Sequence, residues 1–408
     1  MTAHVARVVV TMLALAGCAT GQVAPAAPPV RPGIEVLLSD SAHLVRGRRV
    51  GLVMNHTAID RGGTSDVRRL LAAGVQLVAL FSPEHGVRGA AAPGELVGSS
   101  TDSATGLPIY SLYGTIRTPT REMLGGIDVV LVDLQDVGAR YFTYLSTALE
   151  VMKAAGAMGL PVVVLDRPNP IGGAVQGNVL QPAFRTFVGP LVVPMRPGLT
   201  LGELARLGRE ELGLDVPLTV VPAAGWRRSM PFEDTRLPYV PASPNLPTLE
   251  SLWHYPGLCL FEGTNLSVGR GTSMPFEVIA APWLDARTVL RAVGEIDGVK
   301  LFPVNGLTPR SPGDSKYADT ALTGLRLRVT DRRRYDPTAT ALRLLVAIRA
   351  THPAEFRWIA AHFDRLAGTD SLRLDLEAGR PVASVLDQWA AQRQAWMSRR
   401  QGVLLYPE

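Results

Sequence analysis

The chain is short of cysteine and lysine. Of its 408 residues only Cys18 and Cys259 are cysteines, and only Lys153, Lys300 and Lys316 are lysines. Cys18 falls in a leader segment and Cys259 in an apolar run, so neither a disulfide nor a catalytic thiol is expected. The net charge of +5 therefore rests almost wholly on arginine. With heavy Ala, Gly and Pro usage, this reads as base-composition bias rather than the mark of an anionic partner. No basic run is interleaved with aromatics, which argues against nucleic acid as a partner. Also missing are a G-x-G-x-x-G after the first strand, a Walker A loop, a G-x-S-x-G elbow and an H-E-x-x-H helix. The usual nucleotide, serine-hydrolase and zinc-protease signatures are thus absent, and no cofactor is expected. What is plentiful is apolar sequence, 47% against 19% charged. That suits a globular chain of about two to three domains with ample core.

Residues 1–18 begin lightly basic (His4, Arg7) and run through Val8 to Leu15. This apolar core is too short to span a bilayer and reads as a signal peptide. It ends Leu15-Ala16-Gly17-Cys18, which resembles a bacterial lipobox with Cys18 as the lipidation site. Ala19 and Thr20 bring no acidic residue that would signal inner-membrane retention. The expectation is a cell-envelope lipoprotein held by an N-terminal lipid anchor, at the outer membrane and facing the periplasm. Residues 19–33, rich in Pro and Ala, read as a flexible tether.

Short apolar strands then alternate with amphipathic helices. Strands are predicted at 50–54, 77–81, 128–132, 161–165 and 218–221, with an extended piece at 109–114. Helices are predicted at 65–73, 120–124, 141–157 and 201–212, the last begun by Thr200 with Glu203 completing a capping box. The alternation implies an α/β fold with a doubly wound, mostly parallel sheet over 34–255. Beyond 255 the pattern changes. A strand at 325–329, a helix at 338–350 and a charged helical tail at 372–398 suggest a smaller α/β domain over 256–408.

Four strands end in polar clusters: Asn55-His56, Glu84-His85, Asp133 with Gln135-Asp136, and Asp166-Arg167 with Asn169. In a parallel sheet all four face one edge, where ligands bind. A single Asp or Asn after a strand is more often a turn former or helix cap; four converging clusters argue for a site. His85 with Asp133 and Asp136 could hold a metal, but a histidine hydrogen-bonded to a carboxylate explains the same residues, and no metal is expected. Carboxylates remain as the chemical actors. Glycoside hydrolysis needs an acid at the leaving oxygen and a second group at the anomeric carbon. Glu84, after the Leu77–Phe81 run, suits the acid. Asp133, Asp136, Asp166 and Glu262 are candidates for the second role, and the sequence does not choose among them.

Longer motifs point further. Phe81-Ser-Pro-Glu-His-Gly86, Tyr110-Ser-Leu-Tyr-Gly114, Asp133-Leu-Gln-Asp-Val-Gly-Ala-Arg-Tyr-Phe-Thr-Tyr144 and Leu165-Asp-Arg-Pro-Asn-Pro170 recur in one bacterial family. So do Gly198-Leu-Thr-Leu-Gly-Glu203, Pro241-Ala-Ser-Pro-Asn-Leu-Pro247, Glu262-Gly-Thr-Asn265 and Gly269-Arg-Gly-Thr272. From about Gly51 to its end the chain resembles the NamZ-type exo-β-N-acetylmuramidases. The resemblance implies a Rossmann-like N-terminal domain, a smaller C-terminal domain and a cleft between them. It also implies removal of N-acetylmuramic acid from the non-reducing end of peptidoglycan fragments, in cell-wall turnover and recycling. Peptidoglycan-derived sugars or muropeptides are then the partners, and Glu84 the proposed catalytic residue.

On that reading His85 orients Glu84, or only steadies its loop. Arg140, Arg167 and Arg270 are candidates to clamp the lactyl carboxylate of muramic acid, with a structural ion pair an equal alternative for each. Asn55, Asn169, Asn245 and Asn265 could bond sugar hydroxyls or the acetamido group, or simply shape loops. Tyr141 and Tyr144 offer a stacking face or core area. Pro197, Gln176, Val268 and Tyr239 depart from the family's pattern near the expected cleft. Two rival readings stay open: a lipoprotein that binds cell-wall fragments without cleaving them, and an esterase or amidase on the same polymer.

Overall fold

β-branched runs form the central sheet. The computed structural model describes residues 29–408 apart from 90, 92–94, 96, 97, 312 and 315, so Cys18, the signal peptide and most of the tether lie outside the described residues. In chain order the strands are β1 (Arg49–Met54), β2 (Gln76–Ser82), β3 (Ser100–Thr101), β4 (Pro108–Ser111), β5 (Val129–Asp133) and β6 (Val162–Leu165). A separate antiparallel pair, β7 (Gln176–Val179) and β8 (Pro194–Arg196), precedes β9 (Leu218–Val221). The seven-stranded sheet has the order β3-β4-β2-β1-β5-β6-β9, and every pairing except β3 with β4 is parallel. It is the doubly wound α/β sheet that the alternating pattern predicts.

Side chains alternate between the sheet's two faces. Val50, Leu52, Leu80, Val129, Leu131 and Val163 pack on one side with Ile34 and Leu37 of α1 (Gly33–Asp40) and Leu70 of α2 (Asp66–Ala72). Val53, Phe81, Val130, Val132 and Val164 pack on the other with α3 (Tyr144–Gly156) and α4 (Leu201–Glu211). That second core continues into the C-terminal half. There α5 (Leu249–Leu258) leads into β10 (Val278–Ala281), α6 (Ala286–Val293), β11 (Val299–Leu307) and β12 (Leu322–Val329), which form a three-stranded antiparallel sheet of order β10-β12-β11. Helices α7 (Pro337–Thr351), α8 (Ala360–Ala367), α9 (Ser371–Glu377) and α10 (Val382–Arg399) complete it.

The predicted capping box at α4 is formed: Thr200 N–H donates to Glu203 Oε2 at 3.0 Å, and Glu203 N–H to Thr200 Oγ1 at 3.3 Å. Three local expectations change. Residues 121–126 are turns rather than a helix, because Gly125-Gly126 leaves too short a run to nucleate one. Gly379-Arg380-Pro381 splits the tail into α9 and α10. The last tether residues belong to the fold: Val30 is buried, and Arg31 exchanges backbone hydrogen bonds with Ala224 at 3.0 and 2.8 Å. Gly33 then lies so close to the Leu165–Asp166 backbone that a Cβ would sit 2.6 Å from it.

Candidate active site

Strand β2 ends at Ser82, and Pro83, which has no N–H, stops the ladder. Gly86 N–H closes a turn on Pro83 C=O at 3.1 Å, with His85 and Gly86 in the left-handed region at φ 70° and 72°. The turn sends the Glu84 and His85 side chains to different cavities. Glu84 enters a cleft of 440 Å³ between the two halves of the chain, lined by Tyr113 on its own side and by Glu262, Arg270, Asp314, Lys316, Ile359 and His362 opposite. The cleft lies beyond the carboxyl ends of the sheet strands, where an open α/β sheet places ligands.

Two hydroxyl side chains stand beside Glu84. Thr143 Oγ1, at the entry to α3, donates to Glu84 Oε2 at 2.8 Å. Tyr113, just past β4, lines the cleft beside Glu84, and burial and the Glu84 charge push its phenol up to about 12. Tyr144 lies behind. Its hydroxyl donates to Ala242 C=O and accepts from Asn55 Nδ2, both at 2.6 Å, and burial followed by the Glu84 charge pushes its phenol up.

The opposite wall is charged. Arg270 Nε–H donates to Glu262 Oε1, and the guanidinium sits 5.0 Å above the Phe276 ring. Burial would raise the Glu262 carboxyl, but Arg270 and Lys316 outweigh it and hold it below its ordinary value. Lys316 Nζ donates to the carbonyls of Phe261, Glu262 and Leu266 at 3.4, 3.0 and 3.1 Å, and burial lowers its pKa. Burial pushes the Asp314 carboxyl up and the His362 imidazole down, the latter with help from Arg365.

Family models for the N-terminal and C-terminal parts of the exo-β-N-acetylmuramidase NamZ match residues 50–250 and 253–406. The chain belongs to the NamZ exo-β-N-acetylmuramidase family. It is 40% identical over 386 residues to the peptidoglycan β-N-acetylmuramidase NamZ of Bacillus subtilis (strain 168), covering 93% of this chain and 92% of that protein. Two crystal structures of DUF1343 family proteins from Bacteroides fragilis also share the fold. One superposes with a TM-score of 0.84 at 34% identity, covering 93% of this chain and 99% of the other. The second has a TM-score of 0.76 at 29% identity, covering 93% and 100%.

Within this NamZ-family fold the expected site residues separate into two groups. Glu84, Glu262 and Arg270 meet in the cleft. The others are placed elsewhere or held as struts. His85 Nδ1 pairs with Ala91 C=O at 2.8 Å and lines a neighbouring cavity. Asp133 is in a bidentate ion pair with Arg167, whose Nη2–H groups also reach Asp133 Oδ2 at 2.9 Å and Ile59 C=O at 2.8 Å. Arg140 spends its four terminal N–H groups on the carbonyls of Asn178, Val193, Leu366 and Ala367 at 2.9–3.0 Å, tying the sheet domain to α8. Arg140 therefore has no terminal N–H left for a substrate carboxylate, and Arg167 is committed to Asp133 outside the Glu84 cleft.

Asp166 accepts from Thr200 Oγ1, Tyr406 O–H and Gly202 N–H, and burial pushes its carboxyl up to about 6. Asp136 accepts from Gly138 N–H at 2.7 Å, and burial pushes it up to about 7. Asn55 Oδ1 accepts from Thr57, and Asn169 bonds Leu199 C=O and Ile171 N–H. Asn265 bonds Glu355 C=O and Arg357 N–H, and half-buried Asn245 makes its hydrogen bond through its backbone N–H to Ser243.

The positions that depart from the family's pattern do not line the Glu84 cleft. Gln176 bridges Arg196 and Tyr335, Pro197 C=O accepts from Trp396, Val268 is core, and Tyr239 O–H bonds Leu246 C=O. Tyr113, Thr143, Asp314, Lys316 and His362 were not singled out from the sequence. The first two stand inside quoted motifs, Tyr110–Gly114 and Asp133–Tyr144, which was the available signal. The other three come from separate C-terminal segments with no local signature.

Proposed function

We propose that this chain is an exo-acting glycoside hydrolase that releases N-acetylmuramic acid from the non-reducing end of peptidoglycan fragments, with Glu84 as general acid. Family membership supports the reaction class. The observation that carries the residue assignment is the position of Glu84: a carboxyl at a strand end, inside a two-walled cleft, with Oε2 fixed by Thr143. A proton donor must be held in register with the glycosidic oxygen, and the Thr143 hydroxyl fixes Glu84 Oε2 within the cleft.

For the second group we choose Asp314. Glu262 is tied to Arg270, whereas Asp314 Oδ1 accepts only the Lys316 N–H at 3.1 Å and its Oδ2 has no hydrogen-bond donor among the described residues. We further place the enzyme in cell-wall turnover at the envelope, as a lipoprotein anchored at Cys18; the Leu15–Cys18 sequence supports this. The test is to incubate wild type and Glu84→Gln with peptide-free glycan fragments and identify the products. Free N-acetylmuramic acid from wild type, and release at least about 100-fold slower from the variant, is expected. Binding without cleavage, or release of peptide or acetate, would overturn the proposal in favour of the binder or the esterase/amidase.

A further inference from the structure

The muramidase reading leaves open how the cleft tells muramic acid from glucosamine, sugars that differ by a lactyl ether carrying a carboxylate. We propose that Arg270, assisted by His362, is the receptor for that carboxylate. The inference rests on the muramidase reading and adds a residue-level account of its specificity.

Three arginines and one lysine could serve, and hydrogen bonding separates them. Arg140 gives its four terminal N–H groups to backbone carbonyls and Arg167 is paired with Asp133, and neither lines the Glu84 cleft. Lys316 has given its three ammonium N–H groups to carbonyls. Arg270 donates only Nε–H, to Glu262. Its Nη1 and Nη2 have no acceptor among the described residues and are not sealed from solvent, while its side chain is only 14% exposed and lines the cleft that holds Glu84. Such a planar fork matches a carboxylate with two parallel hydrogen bonds.

The fork is also held in place. Glu262 grips its inner edge, Phe276 lies under its face, and the remaining Glu262 oxygen is met by Cys259 Sγ at 3.5 Å. A donor already fixed in its binding geometry loses little entropy when the ligand arrives. His362 adds a second donor from α8. Arg365 donates to its Nδ1, which leaves the ring proton on Nε2, and the ring lines the same cleft. On the charge side, Arg270 and Lys316 face Glu262, Asp314 and Glu84.

The experiment uses three 4-nitrophenyl β-glycosides: N-acetylmuramic acid, its lactyl methyl ester, and N-acetylglucosamine. Esterification should lower the wild-type kcat/KM about 10- to 100-fold, the worth of a charged hydrogen-bonded pair. Arg270→Gln should lose the same factor on the free acid and nothing further on the ester, with the change mainly in KM. Arg270→Lys should recover part of the loss. Because the ester is tested on wild type, the result does not depend on whether a variant folds. Equal wild-type cleavage of acid and ester, or an Arg270→Gln enzyme that still prefers the acid, would overturn the subsite alone. If wild type cleaves none of the three, the muramidase reading falls and takes the subsite with it.

Discussion

Asp136 should make the protein less stable as pH rises from about 4 to 7, and Asp136→Asn should remove that dependence. The carboxyl is buried, 6% exposed, and burial raises it from 3.8 to about 7 despite hydrogen bonds from Gly138 and Val137 N–H. A carboxyl raised in the folded state holds its proton there while the unfolded chain has already released it. Stability from this group is therefore complete below pH 4 and declines until the folded form also ionises near pH 7. The interval corresponds to about 4 kcal/mol at most, at ~1.4 kcal/mol per pH unit. Asn keeps the acceptor for Gly138 N–H and cannot ionise. The assay is urea unfolding of both proteins at pH 5 and pH 8, comparing midpoints at constant m. Relative to wild type, Asp136→Asn should gain about 2–4 kcal/mol more at pH 8 than at pH 5. Asp66 is also raised by burial but is common to both proteins and cancels in the difference, whereas the Asp166 charge adds to the rise at Asp136 and is part of the effect measured. Parallel stability profiles across that range would refute the reasoning.

Arg167→Met strands Asp133, and Asp66 at 4.0 Å, without their buried cation, and should cost about 3–5 kcal/mol in urea unfolding. Adding Asp133→Leu should recover most of that loss; a single variant losing under about 1 kcal/mol would contradict the buried-pair account. Asp314→Asn should lower kcat about 100-fold or more with KM little changed, and unchanged kcat removes it from the chemistry. Cys18→Ala should abolish incorporation of labelled palmitate and move the protein from membrane to soluble fractions; labelling that persists would rule out Cys18 as the anchor.

The sheet was legible because its strands are buried on both faces, so β5 and β6 read as unbroken Val/Leu runs. Glu84 was legible because Pro83 and Gly86 bracket a turn at a strand end. The neighbouring strand ends were harder to interpret. Arg140 and Arg167 have the chemistry of substrate clamps, but the same guanidinium also serves as a strut, and the difference lies in partners such as Leu366 C=O, 226 residues away. The far wall was least accessible. Asp314, Lys316 and His362 acquire meaning only when the C-terminal half folds against the sheet domain, which no local pattern announces.

The most direct test of Glu84 as proton donor is how its loss depends on the leaving group. Glu84→Gln should lower kcat on the natural muramyl disaccharide by about 10²–10⁴-fold, the range for a positioned general acid. On a 4-nitrophenyl glycoside, whose leaving group departs without protonation, the loss should be far smaller. An equal loss on both substrates, or no loss on either, would contradict the assignment.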